Sequence, residues 1–323
     1  MNSPAADIAF PIDSDPLLLN IGKLAPSDQK KGSLGRIGLG ASVYNPINGF
    51  SDLKRPVSFE IEDLNSDGKN DVIICSFGHN TGKLAWYDNF DSSKEHILSS
   101  TPGARKVEIE DFNSDGKPDL VVMMAQALER ISIYYNMGNG TFEERPVLEF
   151  SPVHGVSYFE LADFNGDGHQ DLLVTNGDNR DFSSTDKPYH GLRIYLNDGH
   201  NKFEETFFFL MYDCSKAMAR DFDNDGDLDI VAAALYTGYT DRKKADKAIV
   251  FLENSGNFNF VPSFPTTDIH GNWLTMEVAD FDKDGLLDVM LGAFLYDISE
   301  MVKISSATGL NSFPQVLLLT QAR

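Results

Sequence analysis

The sequence predicts an all-β fold assembled from one repeated four-stranded unit, on three observations. A nine-residue pattern, D-x-[ND]-x-D-G-x-x-D, occurs five times in 323 residues, at 63–71, 111–119, 163–171, 221–229 and 280–288. The first aspartates follow one another at 48, 52, 58 and 59 residues, the spacing of a repeated supersecondary unit. Each copy is also flanked by short apolar stretches with the alternation or the β-branched content of strands, and none has the three-and-four spacing of a helical repeat.

Residues 1–50 carry no such pattern. They contain PLLLNIGKL and GSLGRIGLG, separated by the polar APSDQKKG, and this predicts a hairpin that is either a partial blade or the closure of the last one. Residues 51–323 hold the repeats. In each, a strand leads into the acidic stretch: SFEIED, KVEIED, YFELAD, KAMARD and TMEVAD. A buried strand follows it: VIIC, LVVMM, LLVT, IVAAA and VMLGA. A third strand comes next, as LAWYDN, ISIYYN, LRIYLN, IVFLEN or QVLLLT. A Gly-containing turn then leads to a fourth, such as TFEERPVLEF, KFEETFFFL or FNFVPSF. Four antiparallel strands joined by short turns and repeated in this way make the blades of a β-propeller. Five repeats and the N-terminal hairpin come to five or six units, and six or seven blades would complete the ring.

The repeated acidic stretch has the chemistry of a calcium loop. Ca²⁺ takes oxygen ligands, and a glycine at position 6 permits the φ > 0 turn that wraps them round an ion. Positions 1, 3, 5 and 9 would offer side chains and position 7 its carbonyl. These are Asp63, Asn65, Asp67, Lys69 and Asp71; Asp111, Asn113, Asp115, Lys117 and Asp119; Asp163, Asn165, Asp167, His169 and Asp171; Asp221, Asp223, Asp225, Asp227 and Asp229; Asp280, Asp282, Asp284, Leu286 and Asp288. An EF-hand would need a bidentate Glu at position 12 and flanking helices. Position 12 is instead Ile74, Val122, Val174, Ala232 or Leu291. One such loop alone reads equally well as an acidic turn; five with every ligand position filled point to Ca²⁺, up to five ions, in a structural role.

The D-[FL]-[ND]-x-D-G-x-x-D loop, the DLLVT-like strand after it, the W-Y-x-N or I-Y-x-N strand and the N-x-G-N-x-x-F turn together resemble the FG-GAP or VCBS repeat over about residues 50–320. That resemblance implies propeller blades like those heading integrin α chains and those of some fungal lectins. It is specific for fold and weak for function, since such repeats serve adhesion, sugar binding and lyase chemistry.

The formal net charge of −22 argues against nucleic acid, anionic membrane or polyphosphate as partners. Much of it lies in the loops, and five Ca²⁺ would cancel ten charges. Cys75 and Cys214 fall in different repeats and read as packed thiols. No apolar run reaches the roughly 20 residues that cross a bilayer. The N-terminus lacks the basic and apolar regions of a secretory signal. Loops of this kind usually need the high calcium found outside cells, so a mature or N-terminally truncated extracellular, cell-surface or periplasmic protein is expected, with further domains or blades upstream.

A ligand is expected on the face opposite the acidic loops. The stretches 175–191 and 234–248 are long for a compact repeat, and long loops are more often functional than accidental. Asn176, Asp178, Arg180, Tyr189, His190, Tyr236 and Tyr239 in them would suit a sugar or peptide, with aromatic faces for stacking and amides and charges for orientation. His154 and His270, the latter near Trp273, precede their loops by nine and ten residues and are expected at the channel mouth. Glu60, Glu108, Glu160 and Glu277 each stand three places before a loop aspartate. They would form either a carboxylate ring or, the reading favoured here, ion pairs with cations such as Lys106, Lys216 and Arg220. The expectation is therefore a calcium-stabilised, extracellular, non-catalytic module for adhesion or carbohydrate binding, with a glycan or protein ligand. The rival is a calcium-dependent polysaccharide lyase or glycoside-degrading enzyme using His154, His270, Arg180 and Glu160.

Overall fold

The computed structural model describes residues 5–9, 15–23, 25–38, 44–126, 128–177, 187–235, 248–265, 272–293, 302, 306 and 316–320. The chain divides into two compact units, Met1–Pro152 and Val153–Arg323.

The first unit opens with β1 (Ala5–Ala9), β2 (Leu17–Asn20), β3 (Lys30–Ile37) and β4 (Tyr44–Pro46), paired in that order, with β5 (Leu53–Lys54) added to β3. The hairpin read from the sequence is the β2–β3 pair, so the N-terminal segment forms a sheet with more strands than a hairpin. Two four-stranded meanders follow. One is β6 (Pro56–Glu62), β7 (Asp71–Ser76), β8 (Lys83–Tyr87) and β9 (Glu95–Ser99). The other is β10 (Ala104–Glu110), β11 (Asp119–Met124), β12 (Glu129–Gly138) and β13 (Thr141–Phe150).

The period of two along a strand explains how these sheets stack. Val72 and Ile74 of β7 face the N-terminal sheet and pack with Leu17, Leu19, Leu34 and Phe59. Ile73 and Cys75, one residue out of phase, face the other way onto Val107, Leu120, Val122 and Met124. A strand covered on both sides must be apolar throughout, which is why VIIC reads as a continuous run rather than an alternation. Burial of each such Val or Ile contributes roughly 1.5–3 kcal/mol.

The second unit repeats the scheme. Its sheets are β14 (Val156–Ala162), β15 (Asp171–Asn176), β16 (Gly191–Asn197) and β17 (Phe203–Leu210); β18 (Cys214–Arg220), β19 (Asp229–Ala234), β20 (Ile249–Asn254) and β21 (Phe260–Ser263); and β22 (Trp273–Ala279), β23 (Asp288–Ala293) and β24 (Val316–Leu319). Leu173 and Ile194 pack against Ala217, Ala219, Ala232 and Val250. Val231 and Ala233, again out of phase, pack against Trp273, Met276 and Leu291. The fold is the all-β propeller class expected: within each unit, antiparallel meanders stack face to face with the core between successive sheets.

Every repeat bulges near the start of its first strand, where the register shifts between residues 56 and 58, 104 and 106, 156 and 158, 214 and 216, and 273 and 275. Two of the bulge residues are serines that tie one sheet to the next. Ser157 Oγ donates to the Cys214 carbonyl at 2.7 Å, and Ser215 Oγ to the Trp273 carbonyl at 2.6 Å. Both cysteines are free, buried thiols.

Candidate metal loops and ligand face

The five acidic loops join the first two strands of their sheets and share one hydrogen-bond plan. The amide of position 5 donates to Oδ1 of positions 1 and 3 at 2.9–3.1 Å. The amide of position 6 donates to Oδ2 of position 1 at 2.8–3.1 Å. The amide of position 7 donates to Oδ1 of position 5 at 2.8–3.0 Å. The side chains at positions 1, 3 and 5 are therefore held in a cup by the loop's own backbone. The glycine at position 6 has φ between +80° and +98° in all five loops, as expected. Position 4 also lies in the left-handed region, with φ of +57° to +71° at Ser66, Ser114, Gly166, Asn224 and Lys283, and the sequence pattern leaves that position unspecified.

Position 9 has a different setting. Asp71, Asp119, Asp171, Asp229 and Asp288 are buried. Each Oδ2 accepts from the amide of position 2 at 2.9–3.2 Å. In the first four, Oδ1 accepts from the amide of Asn89, Asn136, Asn197 or Asn254 at 2.7–2.8 Å. That bond needs only a backbone N–H; the preference for asparagine lies in its side chain. In three sheets its side chain also reaches a carbonyl just before position 9, that of Pro118, Gln170 or Leu228, and accepts from Gly138, Gly199 or Gly256 in the turn that follows. Position 9 thus couples the loop to the next turn. Burial pushes the carboxyls of Asp71, Asp119, Asp171 and Asp229 above the usual range, opposed by these amides.

The donor sets suit a hard cation unequally. Among the described residues, carboxylate oxygens within 4.8 Å of one another gather at Asp221, Asp223 and Asp225, and at Asp280, Asp282 and Asp288. In the fifth loop the Asp282 carboxyl is pushed up by desolvation and by the negative charges of Asp284, Asp288 and Asp280, a repulsion that a bound cation would remove. The first three loops have internal partners for position 5 instead. Asn89 donates to Asp67 Oδ2 at 3.0 Å, Lys117 pairs with Asp115 at 2.8 Å, and Asn165 donates to Asp167 Oδ2 at 2.9 Å. The Lys117 ammonium holds the Asp115 carboxyl below its usual value. Oxygen-only cups of this kind fit Ca²⁺.

At the other end of the β14–β17 sheet, four of the predicted ligand-face residues come together. The rings of His154 and Tyr189 stack at 5.2 Å, and Tyr189 meets His190 edge-on at 5.5 Å. Asn176 ends β15 fully buried, and His190 is fully buried beside the start of β16. The residue that organises them, Arg193, was absent from the sequence reading. It donates to Asn176 Oδ1 at 2.6 Å and to the Tyr189 carbonyl at 2.9 Å, lies 3.3 Å from Glu205, and covers the Phe208 ring at 4.2 Å. A signal for it existed. Where LRIYLN has arginine opposite Val174, the other third strands place Ala85, Ser132 and Val250 opposite Ile74, Val122 and Ala232. Burial, then the Arg193 charge, pulls the His154 imidazole below its usual value and favours the neutral ring. A neutral imidazole stacked on a phenol, in a face that Arg193 ties to a buried amide, can take a polar ligand by stacking and hydrogen bonding.

The other predicted positions are placed differently. Trp273 is fully buried in the layer between β18–β19 and β22–β23, because the first residue of β22 points between the sheets, so its indole belongs to the core. Asp178, Arg180, Tyr236, Tyr239 and His270 lie outside the described residues. Three of the four glutamates pair with cations: Glu160 with Arg220 at 2.7 Å, Glu277 with Lys216 at 3.1 Å, and Glu108 with Lys106. Glu160 also accepts from the Ala219 amide at 2.7 Å, which commits it to holding β14 against β18. Among the described residues, no helix is long and apolar enough to cross a membrane.

Stacked meanders whose first turn is an acidic cup define a repeat protein of the propeller class. The FG-GAP-like repeat profile matches residues 63–122, 111–174 and 221–291, more than half of the chain, and the chain belongs to that family. Integrin alpha-4 of Xenopus laevis is 28% identical over 197 residues, covering 54% of this chain and 18% of that protein. The chain thus spans less than a fifth of that relative's length. Among solved structures, the V. cholerae biofilm matrix protein Bap1 superimposes with a TM-score of 0.43 at 18% identity, over 83% of this chain and 38% of that one.

Proposed function

We propose that this chain is a calcium-stabilised extracellular binding module, non-catalytic, that presents the His154–Tyr189 face to a glycan or protein ligand. The observation that carries the calcium part is the repeated cup, in which backbone amides hold three oxygen-bearing side chains together in every repeat. In the fifth loop the carboxylates of Asp280, Asp284 and Asp288 repel that of Asp282, so this cup costs free energy until a cation enters, and binding to the folded form then adds to stability. The adhesive role is supported by membership of a repeat family found in integrin α chains. The binding role is supported by the half-exposed His154–Tyr189 stack, held in place by the bonds of Arg193 to Asn176 and to the Tyr189 carbonyl.

Asp221–Asp223–Asp225 and Asp280–Asp282–Asp288 bring more charge to the ion than the asparagine-containing loops, so the fourth and fifth loops should fill first. Thermal unfolding in EDTA and in millimolar Ca²⁺, followed by a glycan array under both conditions, tests the reading. The expected result is a large rise in Tm with Ca²⁺ and calcium-dependent hits. An unchanged Tm would refute the metal role, and filling of the first three loops ahead of the other two would refute the order.

A further inference from the structure

In a chain with 49 acidic and 27 basic residues, three lysines line one small cavity in the first unit. The cavity has a volume of about 280 Å³ and is walled by Lys30, Lys54 and Lys83 with Asp52, Leu53, Ser76, Thr81 and Gly82. Lys30 and Lys54 are direct cross-strand partners in the β3–β5 pairing. Side chains so placed stand about 4.5–5.5 Å apart at Cβ, and like charges there repel. Lys83 is neutralised by Glu95. Lys30 and Lys54 against Asp52 then leave a surplus of one positive charge facing the cavity.

The site is also built to stay in place. Lys54 Nζ donates to Thr81 Oγ1 at 2.9 Å, fixing one ammonium on the wall. The segment before Lys30 is pinned by Asp28, whose carboxylate accepts from the amides of His79 and Thr81 at 2.9 Å and of Asn80 at 3.0 Å. These bonds hold the Asp28 carboxyl well below its usual value. The loop that walls the cavity therefore already binds one carboxylate on its own backbone.

We propose that this cavity binds a singly anionic saccharide unit, such as a uronate residue, whose carboxylate bridges Lys30 and Lys54. Pockets for drug-sized ligands run from roughly 300 Å³ upward, so this one accepts about one ring. The Thr81 and Ser76 hydroxyls, the Gly82 backbone and Asp52 supply donors and acceptors for ring hydroxyls, and the two ammonium groups read the charge. The site belongs to the first unit and the His154–Tyr189 face to the second, and the proposal does not rest on that face.

The test is calorimetric titration of the full chain in millimolar Ca²⁺ with glucuronate, glucose and the singly charged N-acetylglycine at fixed low ionic strength, beside the double variant Lys30→Gln, Lys54→Gln. Glucuronate should bind, glucose should bind at least tenfold more weakly, and the double variant should lose at least tenfold in glucuronate affinity. Because the substitutions remove a like-charge pair, the variant's Tm without ligand should equal or exceed that of the parent, which separates lost recognition from lost folding. Equal glucuronate binding by the variant, or none by the parent, overturns the proposal. N-acetylglycine binding as tightly as glucuronate overturns its saccharide part.

Discussion

Replacing Asp171 by asparagine changes one atom of a fully buried side chain and tests what position 9 does. The carboxylate accepts from the Phe164 amide at 2.9 Å and from the Asn197 amide at 2.8 Å. Asparagine keeps one acceptor and turns an NH₂ toward the other donor. That loses one charge-assisted bond, roughly 1.5–3 kcal/mol, and leaves a buried N–H unpaired at roughly 1–3 kcal/mol more. The loss is offset in part, because burial has pushed this carboxyl up and the variant no longer desolvates a charge. The expected net cost is about 2–4 kcal/mol, a large share of the roughly 5–15 kcal/mol by which a domain is stable. Urea unfolding in EDTA isolates this from any metal contribution. A cost below about 0.5 kcal/mol in EDTA, appearing in full only with Ca²⁺, would refute the reasoning and make Asp171 a metal ligand first.

Glu60 is half-buried near Asp7 and Glu108, and burial followed by those charges raises its carboxyl from near 4.5 to about 7. The folded form then binds the proton more tightly than the unfolded chain, so stability falls as pH rises from about 4.5 to 7 and is flat above. At about 1.4 kcal/mol per tenfold change in proton affinity the ceiling is roughly 3 kcal/mol, discounted to about 2 for partial solvent access. Glu60→Gln should be more stable than the parent by that amount at pH 8 and equal to it below pH 4, by thermal unfolding; a constant difference would be the contrary result. Gly226 has φ of +98° and open space where a Cβ would go, so Gly226→Ala should cost about 1–2 kcal/mol from backbone strain alone, while Lys283→Gly, at φ of +64°, should gain up to about 1 kcal/mol. Arg193→Lys cannot span Asn176, the Tyr189 carbonyl and Glu205 together, and should lower stability by about 2 kcal/mol. The same variant should weaken any ligand of the His154–Tyr189 face more than tenfold, and unchanged binding on the array would count against that face.

What could be read from the sequence alone was local. The φ > 0 glycine, the oxygen side chains at alternate positions and the doubly covered strand after each loop depend on neighbours within nine or ten residues. Repetition made each legible five times over, and that was enough for the fold class. The ending asparagine of the third strand was visible as a motif, but its partner stands 17 residues away from Asn136 and 26 from Asn197, so its role emerged only from the sheet register. The face at His154 was partly anticipated from loop length and aromatic content. Arg193, Trp273 and the opposed Lys30 and Lys54 were decided by tertiary structure. Whether an arginine lies under a face, a tryptophan in a core or two lysines across from each other depends on which strands pair and which way each residue points. A one-residue change of register would reverse every such answer without altering the composition.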